Sequence, residues 1–324
     1  MTYRFKLQEP IGRGVARIGL EQIEIAEAKL ASKDDISTAI HDARRCLKRV
    51  RALLRLVQPG LDEGIYRRES ERLSGIGKLL SGARDLDVMR QTLTKLEGRL
   101  EAMPAGAAER LGKLAAHSQG LSRKAGSGGR RQALQRLGQS KRLFTGNAIA
   151  QIELDDLIDG LGRTYRKARK AFRAAYRQPS DEAFHAWRKR VQLHWRHMAL
   201  LSRGWPEALS ARAGEAKELS RLLGEDHDHS ILLTLARQRG ASIIEPKDLE
   251  ALTALCSSCQ DELRAAARPR GERLFAEPAR NLEERVAHYW TSAQSLAALE
   301  PAKDRPAGKQ VPSARVKSAR YRKR

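Results

Sequence analysis

The sequence predicts an all-α protein, and three observations support this. Its residues are rich in Ala, Leu, Arg, Lys and Glu, which favour helices. Stretches of the apolar–polar alternation typical of strands are scarce. Prolines such as Pro59, Pro104 and Pro179 fall between segments of helical periodicity, where helices end. The predicted helices are 14–31, 35–57, 62–81, 85–101, 106–123, 130–144, 150–177, 181–203, 206–223, 228–239, 247–267 and 269–298, with Gly126–Gly129 as a flexible break and Pro269 between the last two.

The charge of the chain indicates a polyanionic partner. The 324 residues carry a formal net charge of +23, which favours nucleic acid, an anionic membrane surface or a phosphate polymer. Aromatic residues make up 5%, too few for the stacking platforms of single-strand nucleic-acid binders. Three cysteines predict a reducing compartment. The sequence has neither an apolar signal core nor an apolar run of about 18 residues, so we expect a cytoplasmic protein without membrane spans.

Two blocks of the sequence recur in the same order. His41 matches His185 at a shift of 144 residues, and 79–89 matches 222–232 at a shift of 143. Because two matches at nearly equal offsets indicate an internal duplication, we predict two related helical halves, 10–150 and 151–298. A basic tail at 299–324 is expected to be disordered.

The segment 40–57 forms a helix with one cationic and one apolar face. At 100° per residue, the apolar side chains occupy the arc opposite His41. The basic side chains lie within about 80° of His41, and they are Arg44, Arg45, Lys48, Arg51 and Arg55.

The second copy repeats this pattern with fewer charges, and we therefore expect it to bind an anion less strongly than the first. Arg188, Lys189 and Arg196 lie near His185, whereas Gln192 replaces the match of Lys48 and Arg190 lies away from the main stripe. Solvated helix faces mix charges of both signs, because like charges three or four residues apart repel. Two uncompensated faces therefore favour an anionic ligand over a solvated surface, with His41 and His185 as functional residues and His194 in the core.

The sequence contains no convincing catalytic motif. His227 and Asp228 could belong to a metal phosphohydrolase, but the matching pair is Arg84-Asp85, and an arginine does not bind metal. We predict instead that Asp85 and Asp228 cap helix N-termini or hold a neighbouring Arg. The CxxC pair at 256–259 lacks a second pair for zinc.

The repeated motifs resemble the CHAD domain, the conserved histidine α-helical domain. The resemblance rests on His41-x-x-Arg44-Arg45-x-x-Lys48-Arg49-x-Arg51, on 83–88 and on the second copies at 185–190 and 223–228, and it covers most of 10–298. It implies two four-helix-bundle-like halves related by pseudo-twofold symmetry, which bind inorganic polyphosphate and in several cases associate with polyphosphate granules. It does not extend to the CYTH triphosphatase domain to which many such domains are fused.

The sequence therefore predicts a polyphosphate-binding module without enzymatic activity, cofactor or metal. Two alternatives stay open: a nucleic-acid-binding protein, and a phosphohydrolase or kinase that acts on polyphosphate through its histidines. The candidate polyphosphate-binding residues are His41, Arg44, Arg45, Lys48, Arg49, Arg51, Arg55, Lys78, Arg84, His185, Arg188, Lys189, Arg196, Arg221 and His227.

Overall fold

The computed structural model describes residues 3–32, 36–80, 82–100, 103–239 and 243–299. Within these ranges the chain forms helices joined by short turns and contains no strand, which confirms the all-α prediction. None of the described helices has the length and apolar composition needed to cross a bilayer. The helices are α1 (Ile11–Ala31), α2 (Ile36–Leu56), α3 (Glu63–Leu79), α4 (Gly82–Leu100), α5 (Ala107–Phe144), α6 (Asn147–Ala150), α7 (Leu154–Arg177), α8 (Asp181–Leu201), α9 (Pro206–Arg239), α10 (Pro246–Leu274) and α11 (Ala279–Leu299), with a 3-10 turn at Gln58–Gly60.

The helices pack around two hydrophobic cores, and each core draws on both halves of the chain. The larger core runs from Phe5 in the N-terminal segment to Trp290 in α11. The smaller core joins Met89 of α4 and Leu114 of α5 to Leu232 of α9 and the start of α10. Burying such a side chain stabilises the fold by about 1.5–3 kcal/mol. Since both cores are shared, residue 150 does not separate two independent hydrophobic cores.

Helix starts recur at the spacing that the sequence repeat predicts. The first residues of α7, α8 and α9 follow those of α1, α2 and α3 by 143, 145 and 143 residues respectively. The helix that carries the histidine motif is thus the second helix of its half in both cases. The pseudo-twofold symmetry between the halves stays a prediction.

Helix α7 crosses α2 at very short range. A Cβ added to Gly160 of α7 would stand 1.7 Å from the carbonyl oxygen of Leu56 in α2. In the turn after α2, a Cβ at Gly60 would stand 2.5 Å from the Asp156 carboxylate. The two glycines therefore allow α7 to pack against the C-terminal end of α2, the end that carries Arg55.

The break predicted at Gly126–Gly129 is wrong, because α5 continues through it. A glycine inside a helix costs up to about 1 kcal/mol relative to alanine. Packing of α5 against α1, α3 and α4 offsets this cost. Gly129 is also required there, since a Cβ would lie 2.4 Å from the carbonyl oxygen of Leu79.

Two helices predicted in the second half, 206–223 and 228–239, are one continuous helix, α9. Asp228 therefore lies in a helix interior, and its predicted role as an N-cap is wrong. Asp85 likewise lies within α4, which begins at Gly82, although its side chain is outside the described residues. Gly224 does not interrupt α9; the Arg188 guanidinium lies over it, 3.6 Å from where a Cβ would stand.

The break predicted at Pro269 is also misplaced, since α10 runs through this proline. Pro269 has no N–H to donate to the carbonyl oxygen of Ala265, four residues earlier. Both residues are exposed, so water can satisfy this carbonyl group. The helix ends instead at Leu274, with Phe275 as its C-cap, and α11 begins at Ala279. Residues 300–324, which hold most of the predicted basic tail, lie outside the described ranges.

A cationic cleft between the two histidine-bearing helices

Helices α2 and α8 face each other across a cleft of about 460 Å³. The two cationic faces predicted on separate helices therefore form opposite walls of one site. Its volume lies in the range of ligand-binding sites. The lining residues come from α2, α3, α4, α8 and α9, and they are Arg44, Lys48, Arg51, Leu54, Arg55, Tyr66, Ser70, Val88, His185, Arg188, Lys189, Arg190, Gln192, Leu193, Arg196, His227, Asp228 and Ile231.

The α2 wall is one continuous stripe of cations. Arg44, Lys48, Arg51 and Arg55 follow at intervals of three and four residues, so they share a face about 16 Å long. Arg44 donates a hydrogen bond of 2.9 Å from Nη1 to the carbonyl oxygen of a residue in α3. The Arg55 guanidinium lies 5.1 Å from the centre of the Tyr66 ring. These contacts direct the ends of the stripe towards α3.

The α8 wall contains the most deeply buried cation of the cleft, Arg196, which is 8% exposed. Its Nη1 donates to the backbone oxygen of Gln192 at 2.6 Å, and its guanidinium lies 4.3 Å from the centre of the Trp195 ring. Burial lowers the pKa of Arg196 to about 10, so the side chain still carries its charge at neutral pH. A buried charge is costly unless an opposite charge or hydrogen bonds compensate it.

Five cleft cations have no carboxylate oxygen within 4.0 Å among the described residues: Arg51, Arg55, Lys189, Arg190 and Arg196. Burial, together with the neighbouring charge of Arg55, lowers the pKa of Arg51 and of Arg190. The cleft therefore concentrates mutually repelling charges. An anion bound there would relieve this repulsion.

Sequence reasoning missed Arg190, Tyr66 and Lys167. Arg190 lines the cleft, although a projection of α8 alone places it away from the stripe. Because α8 packs against α2, α7 and α9, more than one of its faces carries side chains that line the cleft. Burial, Arg55 and Arg190 lower the pKa of Lys167 on α7, which therefore belongs to the same electrostatic cluster. The run Arg188-Lys189-Arg190 was the available signal in the sequence.

Two histidines that line the cleft stack on one another. The ring centres of His185 and His227 are 3.7 Å apart, with an angle of 30° between the planes. Burial and the charges of Lys189 and Arg188 lower the pKa of His185 to about 4. Burial and His185 lower the pKa of His227 to about 3. Both rings are therefore neutral at physiological pH and present hydrogen-bonding groups rather than charges.

A partly buried ion-pair network holds the histidine pair in place. Arg264 of α10 donates from Nε to Asp226 at 2.6 Å and from Nη2 to Asp181 at 2.6 Å. Asp181 begins α8 one turn before His185, and Asp226 precedes His227 in α9. Burial raises the pKa of Asp226, and Arg264 opposes this shift. The network therefore fixes three helices at the point where the histidines meet.

Several predicted residues lie outside the cleft. His41 is exposed on α2 and is not among the lining residues. Arg45 is also exposed and pairs with Asp42 at 3.5 Å. Arg49 faces the N-terminal region instead, where Nη1 donates to Gln22 at 3.1 Å. A helix of 21 residues carries more basic side chains than one cleft wall can use.

Two further predicted residues are not part of the lining either, and the side chain of a third is not described. Lys78 is exposed near the end of α3. The Arg84 side chain lies outside the described residues. Arg221 forms ion pairs of 2.7 Å with Glu218 and 2.8 Å with Glu225. Its charge is therefore largely compensated.

His194, His197 and the three cysteines have structural surroundings. The prediction that His194 lies in the core is confirmed, since it is 1% exposed. His197 is fully buried, and its Nε2 lies 2.9 Å from the carbonyl oxygen of Ala52 in α2. The cysteines are buried thiols without disulfides. Among the described side chains, no group of three or more His, Cys, Asp or Glu could hold a metal ion.

Comparisons with known proteins agree with this architecture. The model of the CHAD domain family matches residues 15–237. Among solved structures, PptA from Streptomyces chartreusis aligns with a TM-score of 0.60 at 18% identity over 83% of this chain and 100% of its own. The CHAD domain from the plant Ricinus communis aligns with a TM-score of 0.52 at 17% identity over 86% of this chain and 94% of its own. A comparison with curated proteins found no match.

The structural similarities establish the fold, whereas the family match rests on the sequence itself and covers more than half of it. The sequence resemblance is thereby confirmed. This chain belongs to the CHAD domain family.

Proposed function

We propose that the cleft between α2 and α8 binds inorganic polyphosphate without transforming it. The observation that carries this proposal is the set of five cleft cations without a carboxylate partner among the described residues. Membership of the CHAD family, which is associated with polyphosphate, supports the same ligand.

The chemistry of the cleft suits a phosphate polymer. Each polyphosphate unit carries negative charge and oxygen acceptors but no base that needs a stacking partner. Arginine offers forked donors that match phosphate oxygens, and six arginines line the cleft. Tyr66 is the sole Phe, Tyr or Trp among the lining residues. The site can therefore recognise a phosphate chain without reading a sequence.

Competition between polyphosphate and RNA tests this choice of ligand. Labelled long-chain polyphosphate is bound to the protein at physiological salt and displaced with unlabelled RNA, DNA or polyphosphate at equal phosphate concentration. We expect unlabelled polyphosphate to displace the label at concentrations at least about tenfold lower than RNA or DNA does, because the bases of a nucleic acid would lack stacking partners in the cleft. Displacement by RNA at equal concentration would favour the nucleic-acid alternative.

The absence of catalysis is part of the proposal and has its own test. Incubation with polyphosphate and Mg²⁺ or Mn²⁺ should release no orthophosphate and should not shorten the chains. Protein-dependent release that disappears in His227→Ala would instead establish a phosphohydrolase. We further propose a cytoplasmic location at polyphosphate granules, which fluorescence microscopy of the tagged chain in cells with and without polyphosphate would test.

A further inference from the structure

The two ends of the cleft differ in charge. At one end the groove continues past His185 and His227 into a second depression, whose charged lining residues are Asp181, Glu182 and Arg237. At the other end stand Arg51, Arg55 and Arg190. No carboxylate oxygen of the described residues lies within 4.0 Å of Arg51, Arg55 or Arg190, so the positive charge at that end is uncompensated.

The Arg55 end is a compact cationic cluster around a tyrosine. Arg55 lies over the Tyr66 ring. Burial is the largest cause that lowers the pKa of Arg51 and of Arg190, and the nearby charge of Arg55 lowers both further. Lys167 reaches the same cluster from α7. Tyr66 is 6% exposed, and its hydroxyl makes no hydrogen bond to the described residues. Donors and charges thus converge where the cleft lining ends.

The backbone bounds this end of the cleft. Arg55 is the last α2 residue that lines it, and the next residue, Leu56, lies against Gly160 of α7 at the close crossing described above. A chain that enters along the α2 stripe therefore reaches the cluster where α7 packs on α2. The open direction is the opposite one, towards Lys48, Arg44 and the exposed N-terminal part of α2.

A terminal phosphate suits this cluster better than an internal one. The end unit of a linear polyphosphate carries a second ionisation and three unshared acceptor oxygens, like a phosphomonoester. An internal unit has one negative charge and one fewer unshared oxygen. Three guanidinium groups and a phenol can satisfy the larger set of acceptors and the additional charge.

We propose that Arg51, Arg55, Arg190 and the Tyr66 hydroxyl recognise the terminal phosphate of a linear polyphosphate, while the following units run along the α2 stripe. This inference rests on the proposed function and assigns one end of the cleft to chain-end recognition. It makes the protein a binder of chain termini, and longer chains gain little affinity once they fill the cleft.

Linear and cyclic polyphosphates of equal phosphate count separate this idea from general polyphosphate binding, because a ring has no terminal unit. Calorimetric titration of the full-length protein should show tighter binding of the linear form by about tenfold or more, the effect of one charge-assisted hydrogen bond. Long linear chains should carry at most two tightly bound proteins each. Equal affinity for cyclic and linear polyphosphate, or the binding of many proteins with equal affinity to one long chain, would contradict end recognition. Neither result would contradict polyphosphate binding itself.

Matched variants assign the effect to the cluster. Tyr66→Phe keeps the buried ring, and Arg190→Gln keeps a polar side chain; each should reduce the preference for the linear form at least about threefold. The control Lys189→Ala removes the cation next to Arg190 in the sequence, which lies near the histidine pair. It should weaken the binding of linear and cyclic polyphosphate equally. A preference that survives unchanged in both cluster variants would contradict the assignment. Failure of the wild type to bind either ligand would refute the proposed function, and this inference with it.

Discussion

Helices α2 and α8 have the same length, 21 residues, and carry the two copies of the histidine motif, but they expose their charges differently. On α2 the cations form a regular stripe, and additional ones such as Arg45 project outside the cleft. On α8 the C-terminal half is buried, with His194, His197 and Arg196 each less than 9% exposed. The side chains that the structure describes as buried in α2 are apolar, whereas α8 also buries two histidines and an arginine.

This difference shows that the number of charges on a helix is a poor measure of its share in the site. From the sequence, Gln192 predicted a weaker second wall. In the structure each helix contributes four Arg or Lys side chains to the cleft, and α8 adds a histidine. The predicted asymmetry between the two copies therefore has no support in the geometry.

Paired substitutions test this equality, and they have the largest expected effect. Arg51→Ala with Arg55→Ala on α2, and Lys189→Ala with Arg190→Ala on α8, should each weaken polyphosphate binding about 100-fold or more. Two hydrogen bonds to charged groups, at about 1.5–3 kcal/mol each, account for this loss.

The matched control removes two exposed cations outside the cleft, Arg45 and Arg221. Their double alanine variant should lose less than about threefold, since exposed ion-paired charges contribute little. A large loss from the α2 pair beside an unchanged α8 pair would restore the asymmetry that the sequence predicted.

Acid stability should depend on α8 and not on α2. Burial lowers the pKa of His197 to about 4, despite its hydrogen bond to Ala52. As pH falls, the unfolded chain binds a proton at this histidine near pH 6.5, before the folded chain does. The contribution of His197 to the free energy of unfolding is therefore complete above about pH 6.5 and is lost as pH falls from there to about 4. The loss for this residue is on the order of 3 kcal/mol.

Denaturant unfolding at several pH values measures this effect. His197→Gln should be less stable at pH 7 and show a shallower decline towards pH 4. His41→Asn on α2, where the side chain is exposed, should leave the decline unchanged. The account fails if the exposed histidine, and not the buried one, determines the acid transition.

Salt dependence measures how many cations contact the ligand. Eight Arg and Lys side chains line the cleft. At about −0.7 per phosphate contact, by analogy with single-stranded nucleic acid, log affinity against log salt should fall with a slope of about −5 to −6. Lys189→Ala should reduce the slope by about 0.7, and Arg45→Ala should leave it unchanged. A flat dependence would mean that the cations form only a solvated surface.

The smallest expected effect is that of pH on binding. With pKa values of about 4 and 3, His185 and His227 stay neutral between pH 8 and pH 6. Affinity for a cyclic polyphosphate, which has no second ionisation, should therefore change less than about twofold over this range. It should rise below about pH 5, where bound phosphate favours imidazolium, and this rise should disappear in His185→Asn with His227→Asn. A strong increase already at pH 6 would mean that the pair is charged there.

The helical class, the family and most of the two walls could be predicted from the sequence. Helical periodicity depends on local spacing, so it correctly placed Arg44, Lys48, Arg51 and Arg55 on one face. The repeat identified His185 and His227 without any structural information. These features need no knowledge of how helices pack on one another.

The errors share one physical cause, tertiary packing. Helix interiors at Gly129 and Pro269 tolerate residues that break isolated helices, because neighbouring helices or solvent satisfy the backbone. Arg190 was excluded because a projection of one helix cannot show that α2 and α7 approach α8 from different sides. Arg221 was included because its compensation by Glu218 depends on side-chain conformation.

Protection of individual arginines by polyphosphate tests the central claim most directly. The protein is treated with an arginine-selective dicarbonyl reagent with and without polyphosphate, and modification of each arginine is quantified by mass spectrometry. The account predicts that polyphosphate slows modification of Arg51, Arg55 and Arg190 at least about tenfold, while the rate at Arg45 changes less than twofold. Equal protection of Arg45 and the three cleft arginines would contradict the claim that polyphosphate binds in the cleft between α2 and α8.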